Sequence, residues 1–142
     1  MDRKGIKFIN VSKKYHSAEK DVTALQDITL SIQPGEYIGL IGMNGSGKST
    51  LARLCNGLLL PTEGKVYVNG MDSNCASNIP KIRQLVGMVF QNPDNQLICP
   101  IVEEEIAFGL ENLGLSLFEI KSRTEWALEA MCLAAERYHS PH

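Results

Sequence analysis

The residues best equipped for chemistry stand in one run, Gly42-Met43-Asn44-Gly45-Ser46-Gly47-Lys48-Ser49, with the spacing G-x-x-x-x-G-K-[ST]. Main chain can wrap a row of phosphates only where side chains stay out of the way and φ is free, and Gly42, Gly45 and Gly47 supply that freedom. The amides of the loop, those of Asn44 and Ser46 included, then converge on phosphate oxygens, aided by the positive end of the helix that follows. Lys48 brings a mobile positive charge to the β- and γ-phosphates, Ser49 a hydroxyl for Mg²⁺, and Thr50 a further phosphate contact. The pattern reads as a nucleoside triphosphate site. The alternative, a glycine-rich turn with an idle lysine, leaves unexplained the apolar run before the loop and the helical pattern after it.

The elements that must position this loop are marked off by Gly, Pro and Asn. After the Pro34-Gly35 turn, Glu36 to Ile41 is apolar on successive residues, the pattern of a strand covered on both faces. From Lys48 the sequence suits a helix that stops near Asn56-Gly57. Ile6–Val11 and Ile28–Ile32 read as strands on either side of a polar loop, His16 to Thr23. Downstream, Gly64 to Gly70 is a strand entering an Asn-Gly turn, Ile79–Leu85 a short helix and Val86–Phe90 a buried strand. Pro100 opens a helix with Val102, Ile106, Leu110 and Leu113 on one stripe and Glu103, Glu104 and Glu105 in its first turn. Ser116 and Glu119 have capping-box spacing, and the helix after them carries Ile120, Ala127, Leu128, Met131 and Ala135 on one side. Strands alternating with helices give an α/β class with a substantially parallel sheet, the first strands being free to form an antiparallel layer.

Composition narrows the function. At 142 residues the chain has room for one domain, and a net charge of −2 argues against a nucleic-acid binder that works by charge. No apolar run reaches a bilayer span, and the first residues lack the apolar segment of a signal peptide, so the reading is cytoplasmic. Cys55, Cys75, Cys99 and Cys132 form no CxxC pair, and with His16, His139 and His142 they approach no metal-ligand spacing; reduced, inert thiols are the simpler reading.

Kinases, GTPases, recombinase-like motors and transport ATPases all share the loop. Three further stretches separate them. Thr23 to Glu36 resembles the stretch before the Walker A motif of ABC ATPases, Leu58 to Gly70 resembles the stretch after it, and Val89-Phe90-Gln91-Asn92-Pro93 looks like the Q-loop. Phe90 to Leu97, followed by Val102 to Asn112, is similar to the ATPase subunits of energy-coupling-factor transporters, the cobalt/nickel and vitamin importers; Asn92-Pro93-Asp94-Asn95-Gln96 is the most discriminating part. The resemblance covers essentially the whole chain. It implies one partial ABC-type nucleotide-binding domain over 1–142: a β-rich layer with the P-loop core at 1–90, the Q-loop at 91–99 and a helical segment at 100–142. The expected fold is the N-terminal part of an ABC ATPase, with an antiparallel β layer, a partial parallel core sheet and the start of a helical subdomain.

The resemblance also implies ATP and Mg²⁺ as ligands, with Tyr15 as the aromatic platform for adenine and Gln91 as the catalytic-site residue that binds Mg²⁺ or its water and senses the γ-phosphate. An ordinary strand-end tyrosine and an ordinary strand-terminal glutamine are the alternatives. Implied partners are a second ABC ATPase subunit, as homodimer or heterodimer, a membrane-embedded coupling subunit that touches the loop after Gln91, and a substrate-binding membrane subunit. The implied location is peripheral, on the cytoplasmic face of the cell membrane. Glu103–Glu105 reads first as a solvated helix start and second as part of the coupling interface.

The sequence departs from the family in one respect. The signature motif, the Walker B strand with its glutamate, the D-loop and the switch histidine are not among these residues, and His139 and His142 do not stand in for the last. The expectations are a fragment without turnover, unable to present a signature to a partner's nucleotide, and an exposed apolar edge where Tyr37–Ile41 lacks a neighbour. Another ABC importer, or a nucleotide-binding module without catalysis, are the competing functions.

Overall fold

The structure, a computed structural model, describes residues 4–18, 20–92 and 96–141. The chain divides into two compact units, Met1–Met88 and Val89–His142.

In the first unit, β1 (Ile6–Tyr15) lies between β2 (Val22–Ile32) and β3 (Glu63–Val68), with β4 (Met71–Asp72) outside β3, and every pairing is antiparallel. β1 and β2 run further than the alternation of their side chains suggests, because two kinds of bulge reset it. Asn10 (φ 47°) is an extra residue in β1 between the pairs Phe8↔Leu30 and Val11↔Ile28, so Phe8 and Val11 both point inward although three positions apart. Its amide donates to Thr29 Oγ1 at 2.9 Å. Asp27 (φ 49°) is an extra residue in β2, its amide donating to Ser12 Oγ at 3.1 Å, and a further shift falls between Lys13↔Leu25 and Lys14↔Thr23, at Ala24.

α1 (Lys48–Cys55) and α2 (Ile79–Leu85) complete this unit, and Leu54 and Ile82 are fully buried with Phe8, Val11, Leu25, Val66 and Val68. Burial of each such aliphatic side chain stabilises by roughly 1.5–3 kcal/mol. Between β3 and β4, Asn69 (φ 49°) and Gly70 (φ 82°) make the two-residue turn that the Asn-Gly pair predicts.

The expected parallel core sheet is not formed among the described residues. Neither Tyr37–Ile41 nor Val86–Phe90 carries a strand ladder; Tyr37 and Ile41 are essentially fully exposed, as is Val89. A run that is apolar on both faces needs a covering layer on each side, and without strands to pair with it remains irregular main chain. The expected exposed apolar surface is therefore present. It lies at the approach to the glycine loop.

The second unit holds α3 (Val102–Glu111) and α4 (Leu117–Ala130). α3 starts at Val102, two residues later than Pro100 suggests. The amides of Val102 and Glu103 are taken by the carbonyls of His139 (3.1 Å) and Arg137 (3.0 Å), so the C-terminal segment caps the helix through its backbone. Arg137 also pairs with Glu103 and Glu125. α4 begins with the expected capping box: Ser116 Oγ accepts from the Glu119 amide, and Glu119 Oε2 accepts from the Ser116 amide and hydroxyl. The apolar side of α4 is shorter than its sequence suggests. Leu128 is buried, but the helix ends at Ala130, Cys132 turns left-handed (φ 57°), and Met131 and Ala135 are exposed.

The hydrogen bonds from Ser116 hold the Glu119 carboxyl below its ordinary pKa. A depressed carboxylate stabilises the fold fully above its ordinary value, and this contribution disappears as pH falls through the lowered one. Ser116→Ala is expected to lower stability by about 1 kcal/mol at neutral pH, measured by urea unfolding, and to remove part of the chain's acid sensitivity below the ordinary glutamate range.

Candidate nucleotide-binding site

The glycine loop rests against the sheet at its last glycine. Gly47 has φ 89°, and a Cβ there meets the Ala24 carbonyl oxygen at 2.4 Å and Leu25 Cδ2 at 2.9 Å. Only a residue without a side chain lets the loop lie on the irregular stretch of β2 and turn into α1. Gly45, also left-handed (φ 81°), has nothing within 4 Å of where its Cβ would project, so the crown of the loop is open. At Gly42 a Cβ comes within 2.7 Å of Ser46 Oγ.

Lys48 folds back over this loop. Its ammonium donates to the carbonyls of Gly42 (2.8 Å) and Met43 (2.7 Å) and lies 3.5 Å from Ser46 Oγ. The charge is thereby fixed among the loop's own peptides rather than left on a free stem. α1 has no acidic residue in its first turn and no side-chain cap, so its first amides and the ammonium present one positive end. The arrangement suits an anion with several oxygens. Asn44 and Ser46 occupy the exposed crown of the loop, and Ser49 is exposed in the first turn of α1.

Thr50 behaves differently from its neighbours. It is buried, and its hydroxyl shares a 3.2 Å hydrogen bond with the Tyr15 hydroxyl. Tyr15, expected from the resemblance as the aromatic platform for adenine, is brought by this bond to α1 itself. Lys13 is a residue that sequence reasoning missed: its ammonium sits over the Tyr15 ring, 5.6 Å from the centroid. Two-residue spacing along a strand put both on one face and was the available signal.

Gln91 is exposed and belongs to the second unit. The discriminating run at 92–96 falls mostly on positions 93–95, outside the described residues. The Glu103–Glu105 run resolves into three different roles. Glu105 Oε2 accepts from the amides of Ile98 (2.8 Å) and Cys99 (2.7 Å), holding the chain that follows the Gln91 loop against α3. Glu103 pairs with Arg137, and Glu104 is exposed. Nothing in three consecutive glutamates distinguishes the clasping one, since the clasp depends on where residues 98 and 99 return. A cavity of about 660 Å³ lies along α3 and α4, lined by Glu104, Phe108, Leu117 and Thr124 among others. The cysteines are free; burial raises the Cys55 thiol to about 11, as befits an inert core thiol. Among the described residues no cluster of His, Cys, Asp and Glu suits a metal, and no helix is long and apolar enough to cross a membrane.

Residues 25–141 match the family model described as ABC transporter, and the chain belongs to that family. It is 50% identical, over all of its length and 51% of the relative's, to the energy-coupling factor transporter ATP-binding protein EcfA1 of Clostridium novyi, and 52% identical over 94% of its length to the EcfA1 of Caldanaerobacter subterraneus, covering 48% of it. The chain spans about half the length of the curated relatives it matches. Among solved structures it is similar to the ATP-binding cassette MJ0796 in a dimer bound to ADP and Pi (TM-score 0.80, 30% identity, 96% of this chain and 61% of that one). It is also similar to CbiO1 of Clostridium perfringens, part of the ABC transporter complex CbiONQ (TM-score 0.79, 31% identity, 99% of this chain and 55% of that one). The fold is that of the N-terminal part of an ABC cassette, and the ordered antiparallel sheet is its β layer.

Two expectations follow from the geometry. Gly47→Ala should destabilise the first unit by about 1–3 kcal/mol in urea unfolding, because a left-handed φ and a carbonyl contact are both violated. Glu105→Gln should speed hydrogen exchange at the amides of Ile98 and Cys99 severalfold while leaving α1 unchanged, by mass spectrometry of proteolytic fragments.

Proposed function

We propose that this chain is the nucleotide-gripping portion of the ATP-hydrolysing subunit of an energy-coupling-factor importer. The whole subunit would couple ATP binding and hydrolysis to uptake of a metal ion or vitamin. The observation that carries nucleotide binding is the Lys48 ammonium fixed on the carbonyls of Gly42 and Met43 beside the uncapped start of α1. Phosphates of ATP would lie on the amides of residues 44–48, that of Ser46 giving up its 3.2 Å bond to the Met43 carbonyl, in contact with Lys48, and adenine would stack on the Tyr15 ring. The exposed Ser49 hydroxyl and the exposed Gln91 amide oxygen are hard oxygen donors of the kind Mg²⁺ accepts, and few protein donors suffice because Mg²⁺ keeps phosphate oxygens and water. When bound, Mg²⁺ neutralises phosphate charge.

The importer part of the reading is supported by the relatives about half identical to this chain, which are energy-coupling factor transporter ATP-binding proteins. By that likeness the subunit would pair with a second ATPase subunit across two ATP molecules. It would sit peripherally on the cytoplasmic face of the membrane, beside a membrane-embedded coupling subunit and a substrate-binding subunit. The loop after Gln91 and the exposed Glu104 side of α3 would face the coupling subunit. Tighter binding of nucleotide to the closed dimer than to the open one is the source of the work, and hydrolysis resets it.

Titration of the chain with Mg-ATP should saturate. Lys48→Ala should weaken that binding by roughly ten- to hundredfold, the effect of losing a charged donor, with the circular dichroism spectrum unchanged. Equal affinity in the two proteins would refute the site.

A further inference from the structure

The bond between Tyr15 and Thr50 joins two parts of the site that the sequence keeps 35 positions apart. Tyr15 ends β1, and Thr50 is the third residue of α1, the helix that carries Lys48 and Ser49. Two further contacts reach the same ring and the same loop. Lys13 covers the Tyr15 ring from above, and Gly47 lies against the Ala24 carbonyl on β2. A tyrosine at a strand end has two free torsions and, by its own ring alone, no preferred position relative to a neighbouring loop. A hydrogen bond at the far tip of the ring fixes χ1, and with it the place of the ring against α1. The Lys13 ammonium stands over one face of the ring, so a flat partner would meet the opposite one. Thr50, for its part, is buried and directs its hydroxyl to the phenol.

Resting on the nucleotide reading above, we propose that the Tyr15–Thr50 hydrogen bond is a tether that sets the position of the base platform relative to the phosphate loop, making Thr50 a positioning residue for the base. The tether makes the site measure the distance from base to phosphates. A purine triphosphate engages platform and loop together, whereas a bare triphosphate engages the loop alone. The platform is ordered before the nucleotide arrives, so its immobilisation does not subtract from the binding free energy.

The test compares Mg-ATP with magnesium tripolyphosphate, both titrated calorimetrically into the full chain, and reads the ratio of the two affinities. Tyr15→Phe keeps the ring and removes the hydroxyl; Thr50→Val keeps the shape and removes the other partner. Each should lower the ATP-to-tripolyphosphate ratio roughly three- to tenfold, the range that one neutral hydrogen bond and one ordered side chain supply. The double variant should lose no more than either single one, because both remove the same bond. Thr50→Ser, which restores a hydroxyl, should recover the ratio, an outcome that mere damage to α1 does not produce. Ratios unchanged in Tyr15→Phe, losses that multiply in the double variant, or a Thr50→Val defect equally large for tripolyphosphate would overturn the tether, the last by making Thr50 a phosphate ligand. Binding of neither compound by the unaltered chain would overturn the nucleotide reading as well.

Discussion

A main chain bent at Gly45 and Gly47 into conformations that other residues resist, and pinned by the Lys48 ammonium on the carbonyls of Gly42 and Met43, is the constraint on which the rest of this structure depends. The loop has no core of its own. It keeps its shape because α1 begins inside it, because its last glycine is pressed on the Ala24 carbonyl, and because its cation is satisfied internally. Each of these limits the conformations open to the loop, in which the Ser46 amide donates to the Met43 carbonyl at 3.2 Å.

The sheet beneath serves this loop through its irregularities. Bulges at Asn10 and Asp27 and the shift at Ala24 break the two-residue alternation of β1 and β2 three times. Phe8 and Val11 are thereby both buried, and an Ala24 carbonyl is brought against the loop. Side-chain donors and acceptors from Ser12 and Thr29 compensate the amides that leave the ladder.

In the second unit charge is spent on shaping the chain. The first-turn amides of α3, which in isolation would attract anions, are closed off by the carbonyls of Arg137 and His139, and Glu105 clasps the amides of Ile98 and Cys99. Glu103 and Glu125 share Arg137. What stays open is Glu104 and the cavity between α3 and α4. The contrast between the two helix starts is instructive: α1 leaves its amides uncapped beside a lysine, whereas α3 covers its own.

Local signals were legible wherever a few adjacent residues decide the conformation. The glycine loop, the start and end of α1, the Asn69-Gly70 turn, α2 and the Ser116–Glu119 capping box all follow from short-range sterics and hydrogen bonds, and the membership of the family follows from the same runs. The strands Tyr37–Ile41 and Val86–Phe90 did not form as read, since an apolar run specifies burial only if other elements arrive to cover it. Bulges were invisible because they disguise alternation as irregularity. The Glu105 clasp and the bond between Tyr15 and Thr50 join residues by way of where the backbone returns, and that is a property of the folded path. The sequence alone therefore determined where the glycine loop and its lysine stand; the tertiary structure decided which hydroxyls and carboxylates meet which partners, because those meetings depend on where the backbone returns and no local force fixes that path.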